Sequence, residues 1–106
     1  MSSPNIIIKS TNLDITDEIR DYVEKKFEKL TRYFDHILEV RIELEKMFPN
    51  HHNKGKIYRV EANIHVPNKI LRVEKSTEDL RKSIDKVKDH MDEVINKYKE
   101  KLIEHK

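Results

Sequence analysis

An α+β fold of order β-α-β-β-β-α, with a four-stranded mixed sheet carrying two helices on one face, is predicted by three features of the sequence. Within residues 16–46 the hydrophobic period switches. Ile19, Val23, Phe27, Leu30 and Phe34 recur every three or four residues, whereas Val40, Ile42 and Leu44 alternate with Arg41, Glu43 and Glu45. Tyr58, Val60, Ala62, Ile64 and Val66 then alternate with Arg59, Glu61, Asn63 and His65, the period of a half-buried strand. A closing stretch repeats Leu80, Ile84, Val87, Met91, Val94, Ile95, Tyr98 and Leu102 at helical spacing. With 106 residues the chain can build one core two layers thick, so residues 1–106 read as a single domain.

Ile6, Ile7 and Ile8 form a β-branched run that places the first strand at Asn5 to Lys9. Thr16 is suited to cap the first helix, with Asp17 and Glu18 at its positive end, and the helical period runs to about Phe34. Strand two follows near Leu38 to Lys46. The excursion between these strands has the length of a crossover to a parallel neighbour, for which the right hand is expected. Met47 to Lys56, with a proline, two asparagines and the only glycine, reads as a mobile hairpin loop. Strand three runs from Tyr58 to Val66. Pro67, Asn68 and Lys69 turn the chain, and Leu71 and Val73 belong to strand four. Ser76 and Asp79 have the S-x-x-D spacing of a capping box for the last helix. At about 27 residues and ~1.5 Å per residue that helix spans roughly 40 Å, so its C-terminal turns should overhang the sheet.

Charged residues make up 40% of the chain and hydrophobic ones 36%, a balance found in disordered segments, but the apolar residues are periodic and the net charge is only +2, which favours folding. Cysteine is absent, which excludes disulfides and thiol chemistry and suits a reducing cytoplasm. No apolar run approaches the roughly 20 residues of a membrane span, and the first ten residues lack a secretory pattern. The six histidines show no H-x-x-x-H spacing with a carboxylate partner. No nucleophile-elbow glycine context and no G-x-x-x-x-G-K loop is present. Neither an enzyme nor a metal, cofactor or small-molecule site is expected.

Arg20, Lys26, Lys29 and Arg32 place long cations on the first helix. Lys82, Lys86, His90, Glu93 and Lys97 follow at steps of three or four on the second. If the helices lie side by side, the two rows would border a basic groove with an acidic spot at Glu93, able to follow a phosphate backbone. Charged helix faces are also commonly just solvated, and Asp21 with Lys25 and Glu28 with Arg32 have the spacing of ordinary i,i+4 pairs. Spacing alone leaves the solvated reading slightly ahead. Tyr22, Phe27, Tyr33 and Phe34 have the spacing of a buried stripe more than of a base-stacking platform.

D-Y-V-E-K-K-x-E-K-L-x-R-Y-F-D at Asp21 to Asp35, E-D-x-x-x-x-I-D at Glu78 to Asp85, and the strand-turn-strand RVEANIHVPNKILRVE resemble the ribosome hibernation promoting factor and ribosome-associated inhibitor family. The resemblance covers nearly the whole chain. It implies the same β-α-β-β-β-α order and a stress or stationary-phase factor on the small ribosomal subunit. Such a factor lodges where messenger and transfer RNA would lie and blocks translation. Ribosomal RNA would be met by basic residues of both helices, with matching positions at Arg20, Lys26, Lys29, Arg32 and Lys97. The final helix departs from the family pattern: Arg81 stands where an aromatic is usual, His90 replaces lysine, Glu93 replaces arginine and Asn96 an often basic residue. The chain also looks like the short form of the family, without a further dimerisation domain, and is expected to be monomeric when free.

Two other classes compete. A double-stranded RNA-binding module shares the helix, three strands, helix order, but usually has a lysine-rich start to its last helix, where this chain has STEDLRK. A protein-interaction module could use a sheet edge or the overhanging Val94, Tyr98 and Leu102 stripe.

Overall fold

The computed structural model describes residues 5–104. The elements are β1 (Asn5–Thr11), α1 (Asp17–Tyr33), β2 (Glu39–Lys46), β3 (Tyr58–Val66), β4 (Lys69–Thr77) and α2 (Leu80–Glu104), in the predicted order. The sheet order is β1-β2-β3-β4: β1 runs parallel to β2 across the α1 crossover, while β2, β3 and β4 are antiparallel neighbours.

The alternation seen in the strands becomes two sheet faces. Val40, Ile42, Leu44, Val60, Ala62, Ile64, Leu71 and Val73 are buried on the helix side. They meet Val23, Phe27 and Leu30 of α1 and Ile84, Val87, Met91 and Ile95 of α2, all with no accessible surface. Ile6, Ile8 and Ile19 pack at the margin of this core. Phe34 closes it beyond α1, edge-on to Tyr98 at 5.7 Å between ring centroids.

Strand ends extend past their sequence-based limits because pairing carries them further. β1 reaches Thr11 opposite Glu45, and β4 pairs with β3 from Lys69, opposite Val66, to Thr77, opposite Tyr58. The turn is therefore only Pro67 and Asn68. Proline fixes its own φ, and Asn68 supplies the left-handed residue at φ 65°, the combination of a type II turn.

Thr16 caps α1 as expected, its Oγ1 accepting from Ile19 N at 3.1 Å. The α2 cap differs from the capping box that the sequence suggests. Ser76 is still in β4 opposite Arg59, and the N-cap is Asp79, whose carboxylate accepts from Lys82 N at 3.0 Å. The physical reason lies at Thr77, which is buried and accepts from Asp79 N at 3.1 Å, so the strand ends one residue too late for Ser76 to cap. Glu78 and Asp79 thus precede the first helical turn, which holds no acid of its own.

Ser83, buried in that first turn, lies 2.7 Å from both the Thr77 hydroxyl and the Tyr58 carbonyl. These contacts tie α2 to the ends of β3 and β4. At its other end α2 passes the β3–β4 turn, where the Tyr98 hydroxyl donates to Pro67 O at 3.4 Å, and Leu102 beyond it is 42% exposed. The overhang read from length is present.

Candidate nucleic-acid interface

The sheet face opposite the helices is an unfavourable place for a polyanion. Glu43, Glu61 and Glu74 stand side by side in one cross-strand row, flanked by Glu39 and Glu45. Adjacent like charges repel, and the strands supply guanidinium groups between them. Arg59 bonds Glu45 at 3.4 Å and also pairs with Glu61 and Glu74. Arg72 reaches Glu61 at 2.9 Å, and Arg41 pairs with Glu39. Glu61 is almost fully buried, and hydrogen bonds from Asn63, Arg59 and Arg72 hold its carboxyl below the usual range despite the cost of burial. The arginines of this face are spent on its own glutamates.

The helices do lie side by side, but the seam between them is not the basic groove expected from the sequence. Lys26 is half-buried at 3.2 Å from Asp85 of α2, and the Tyr22 hydroxyl donates to the same Asp85 oxygen at 2.5 Å. Hydrogen bonding to Asp85 raises the pKa of both Lys26 and Tyr22. Arg81 approaches Glu18 at 3.9 Å and covers the Tyr22 ring, as does Lys26, at 5.3 and 5.4 Å from the centroid. Each cation of the seam thus faces an acid. Tyr22, spaced as part of the buried stripe, instead bridges the two helices, and the Tyr33 side chain lies outside the described residues.

Helical geometry explains the difference. At about 3.6 residues per turn, Arg20 and Lys26 stand roughly 120° apart around α1, on either side of the apolar stripe, so they cannot share a face. Lys26 meets α2, Arg20 is exposed on the flank away from it, Lys29 points to solvent, and Arg32 pairs with Glu28 at 3.5 Å. On α2, Lys86, His90 and Lys97 stand roughly 100–140° from Asp85, on the flank away from α1. Lys86 and His90 border a shallow depression together with Lys75 of β4, Asp89 and Glu93. Lys97 is exposed further along, and Lys82 pairs with Glu78 at 2.9 Å.

The sequence-predicted cations therefore occupy three places: the seam (Lys26), the outer surface of α1 (Arg20, Lys29, Arg32) and the β4-side flank of α2 (Lys82, Lys86, His90, Lys97). Arg20, Lys29, Lys86 and Lys97 make no salt bridge within 4.0 Å among the described residues, so they are open to an external anion. The depression on α2 carries Asp89 and Glu93 against Lys75 and Lys86, which weakens its field for phosphate. Lys75 was legible: it has the strand parity of Leu71 and Val73, so it points to the helix side at the rim. Arg81 carried no such signal, because its place depends on how α2 rolls against α1. Among the described residues no group of three or more metal-ligating side chains occurs, and no helix is long and apolar enough to cross a membrane.

The family model described as Sigma 54 modulation protein / S30EA ribosomal protein matches residues 6–103. A ribosome hibernation promoting factor of Azotobacter vinelandii is 38% identical over 99 residues, covering 92% of this chain and 84% of the relative. Ribosome hibernation promotion factors of Deinococcus radiodurans and Bacillus subtilis are each 33% identical. The matches cover 87% and 92% of this chain but 47% and 50% of those relatives, so the chain spans about half their length. The N-terminal domain of Thermus thermophilus Protein Y superposes with a TM-score of 0.68 at 33% identity, over 92% of this chain and 99% of that one. A ribosomal subunit interface protein of Coxiella burnetii, at 24% identity, shares the fold with a TM-score of 0.76 over 90% of this chain and 97% of that one. Sequence and fold together establish that this chain belongs to the Sigma 54 modulation protein / S30EA ribosomal protein family.

Proposed function

We propose that this chain is a cytoplasmic ribosome hibernation factor. It binds ribosomal RNA of the small subunit in the channel used by messenger and transfer RNA, and so blocks translation under stress or in stationary phase without chemical change. The observation that carries this reading is the likeness to the Azotobacter vinelandii hibernation promoting factor, at 38% identity over 84% of that protein. The structure supports a helix-side contact in two ways. The open sheet face is lined with glutamates, and Arg20, Lys29, Lys86 and Lys97 are exposed with no acid within salt-bridge distance among the described residues. Lys26, Arg32 and Lys82 would have to exchange an intramolecular carboxylate for a phosphate, which reduces what each adds. His90 contributes a full charge only when protonated.

Co-sedimentation with purified small subunits tests the reading. Lys29→Glu together with Lys97→Glu should weaken binding strongly and leave circular dichroism unchanged, because neither side chain holds the fold together. Retained binding by that variant would remove both helices' outer cations from the contact. A double-stranded RNA-binding module is disfavoured by the start of α2, where Asp79 caps the helix and Glu78 occupies Lys82.

A further inference from the structure

Between Glu45 and Glu61 lie 15 residues, Lys46 to Val60, without a single acid, in a chain with 20 acidic residues. The loop at their centre, between β2 and β3, carries Lys54 and Lys56, both exposed, and Phe48, which is 79% exposed, the most of any large hydrophobic side chain described. One exposed apolar residue is ordinary on a protein surface. This one sits on a loop whose backbone is hydrogen-bonded on both sides of it. The Asn53 amide donates to Phe48 O at 2.9 Å, and Met47 N donates to Ile57 O at 2.7 Å. Asn50 Oδ1 accepts from His52 N and Asn53 N at 2.8 and 3.0 Å. Lys54 adopts a left-handed φ of 50° beside Gly55 at 83°, a conformation that side chains other than glycine disfavour. At the loop's base, the carbonyl of Tyr58 binds Ser83 in the first turn of α2. The loop therefore rises beside the start of α2, on the same end of the sheet as Lys82.

We propose that the β2–β3 loop is a second RNA-contact element, in which Phe48 stacks on an unpaired base while Lys54 and Lys56 meet the flanking phosphates. The inference rests on the RNA-binding reading above and extends it to a different element. An exposed aromatic ring on a loop that carries two lysines and no acid of its own suits unstacked RNA: the ring accepts any base face and the lysines supply charge without sequence preference. The absence of acid here contrasts with the α2 depression, where Asp89 and Glu93 oppose phosphate.

The chain has no tryptophan, so F48W provides a single fluorescent reporter at the proposed contact. Addition of small subunits at low salt is expected to quench F48W emission, with recovery as salt rises. Phe48→Ala should weaken subunit binding roughly 5- to 150-fold, the range for loss of one base stack. Lys54→Glu with Lys56→Glu should weaken it further with unchanged circular dichroism. F48W chain that co-sediments with subunits at unaltered emission overturns the loop's role and leaves the helix contact standing. If wild-type chain does not co-sediment at all, the helix reading fails, and titration of F48W with poly(A) at low salt decides the loop separately. Quenching then supports the base contact, and unaltered emission overturns it.

Discussion

Single residues carry two stabilising features that the strand pattern alone does not reveal. Glu61 is a carboxylate buried among its own kind, kept charged by Asn63, Arg59 and Arg72. Its folded pKa is depressed, so the stability it contributes is present above the unfolded value of about 4.3 and is lost as pH falls through the lower folded value. Arg59→Met should therefore destabilise the fold by about 1–3 kcal/mol at neutral pH. The deficit should shrink as acid neutralises Glu61; urea melts at pH 7 and pH 3.5 would show it, and an equal deficit at both would argue against this pairing. Ser83 is the second case. Its hydroxyl is fully buried between Thr77 and the Tyr58 carbonyl, so Ser83→Ala leaves a polar group without its partner, at about 1–3 kcal/mol by equilibrium unfolding.

At the scale of elements, the helices and strands were legible because each has one buried face, and burial imposes a period that few other constraints disturb. The switch from Phe27 and Leu30 to Val40 and Ile42 places α1 and β2 where the structure has them. Boundaries were less legible where pairing or a buried hydroxyl decides them. β4 continues to Thr77 because Tyr58 lies opposite, which moves the cap from Ser76 to Asp79. Asp79→Ala should accordingly destabilise the protein by about 1 kcal/mol, while Ser76→Ala should have little effect; thermal melts of the two variants distinguish the cap. The candidate site was legible as a set of residue types but not as a surface. Charge spacing shows which residues share a helix face, yet whether that face meets a neighbour depends on the roll of one helix against the other. Asp85 illustrates this: nothing local marks it as the partner of both Tyr22 and Lys26.

The whole molecule separates its charges by layer. Glutamates and the arginines that answer them occupy the open sheet face, acids and cations pair across the seam, and Arg20, Lys29, Lys86 and Lys97, without a salt bridge among the described residues, remain on the outer helix surfaces. With a net charge of only +2, long-range attraction is weak, and the proposed binding to RNA must come from local contacts. Glu93 is the least favourable of the local charges, standing beside Lys86 and His90 on the α2 flank. Glu93→Lys is expected to tighten subunit binding by about tenfold at low salt and to steepen its salt dependence by nearly one unit; a weaker or unchanged complex would place that flank outside the contact.

The proposed electrostatic binding of the helix layer to small-subunit RNA is tested by the affinity of the chain for small subunits as a function of salt. If about five phosphates are neutralised, log affinity should fall against log salt with a slope of roughly −3.5 to −4.5, and Lys29→Glu with Lys97→Glu should flatten it. A slope near zero, or one unchanged by those reversals, would contradict the account.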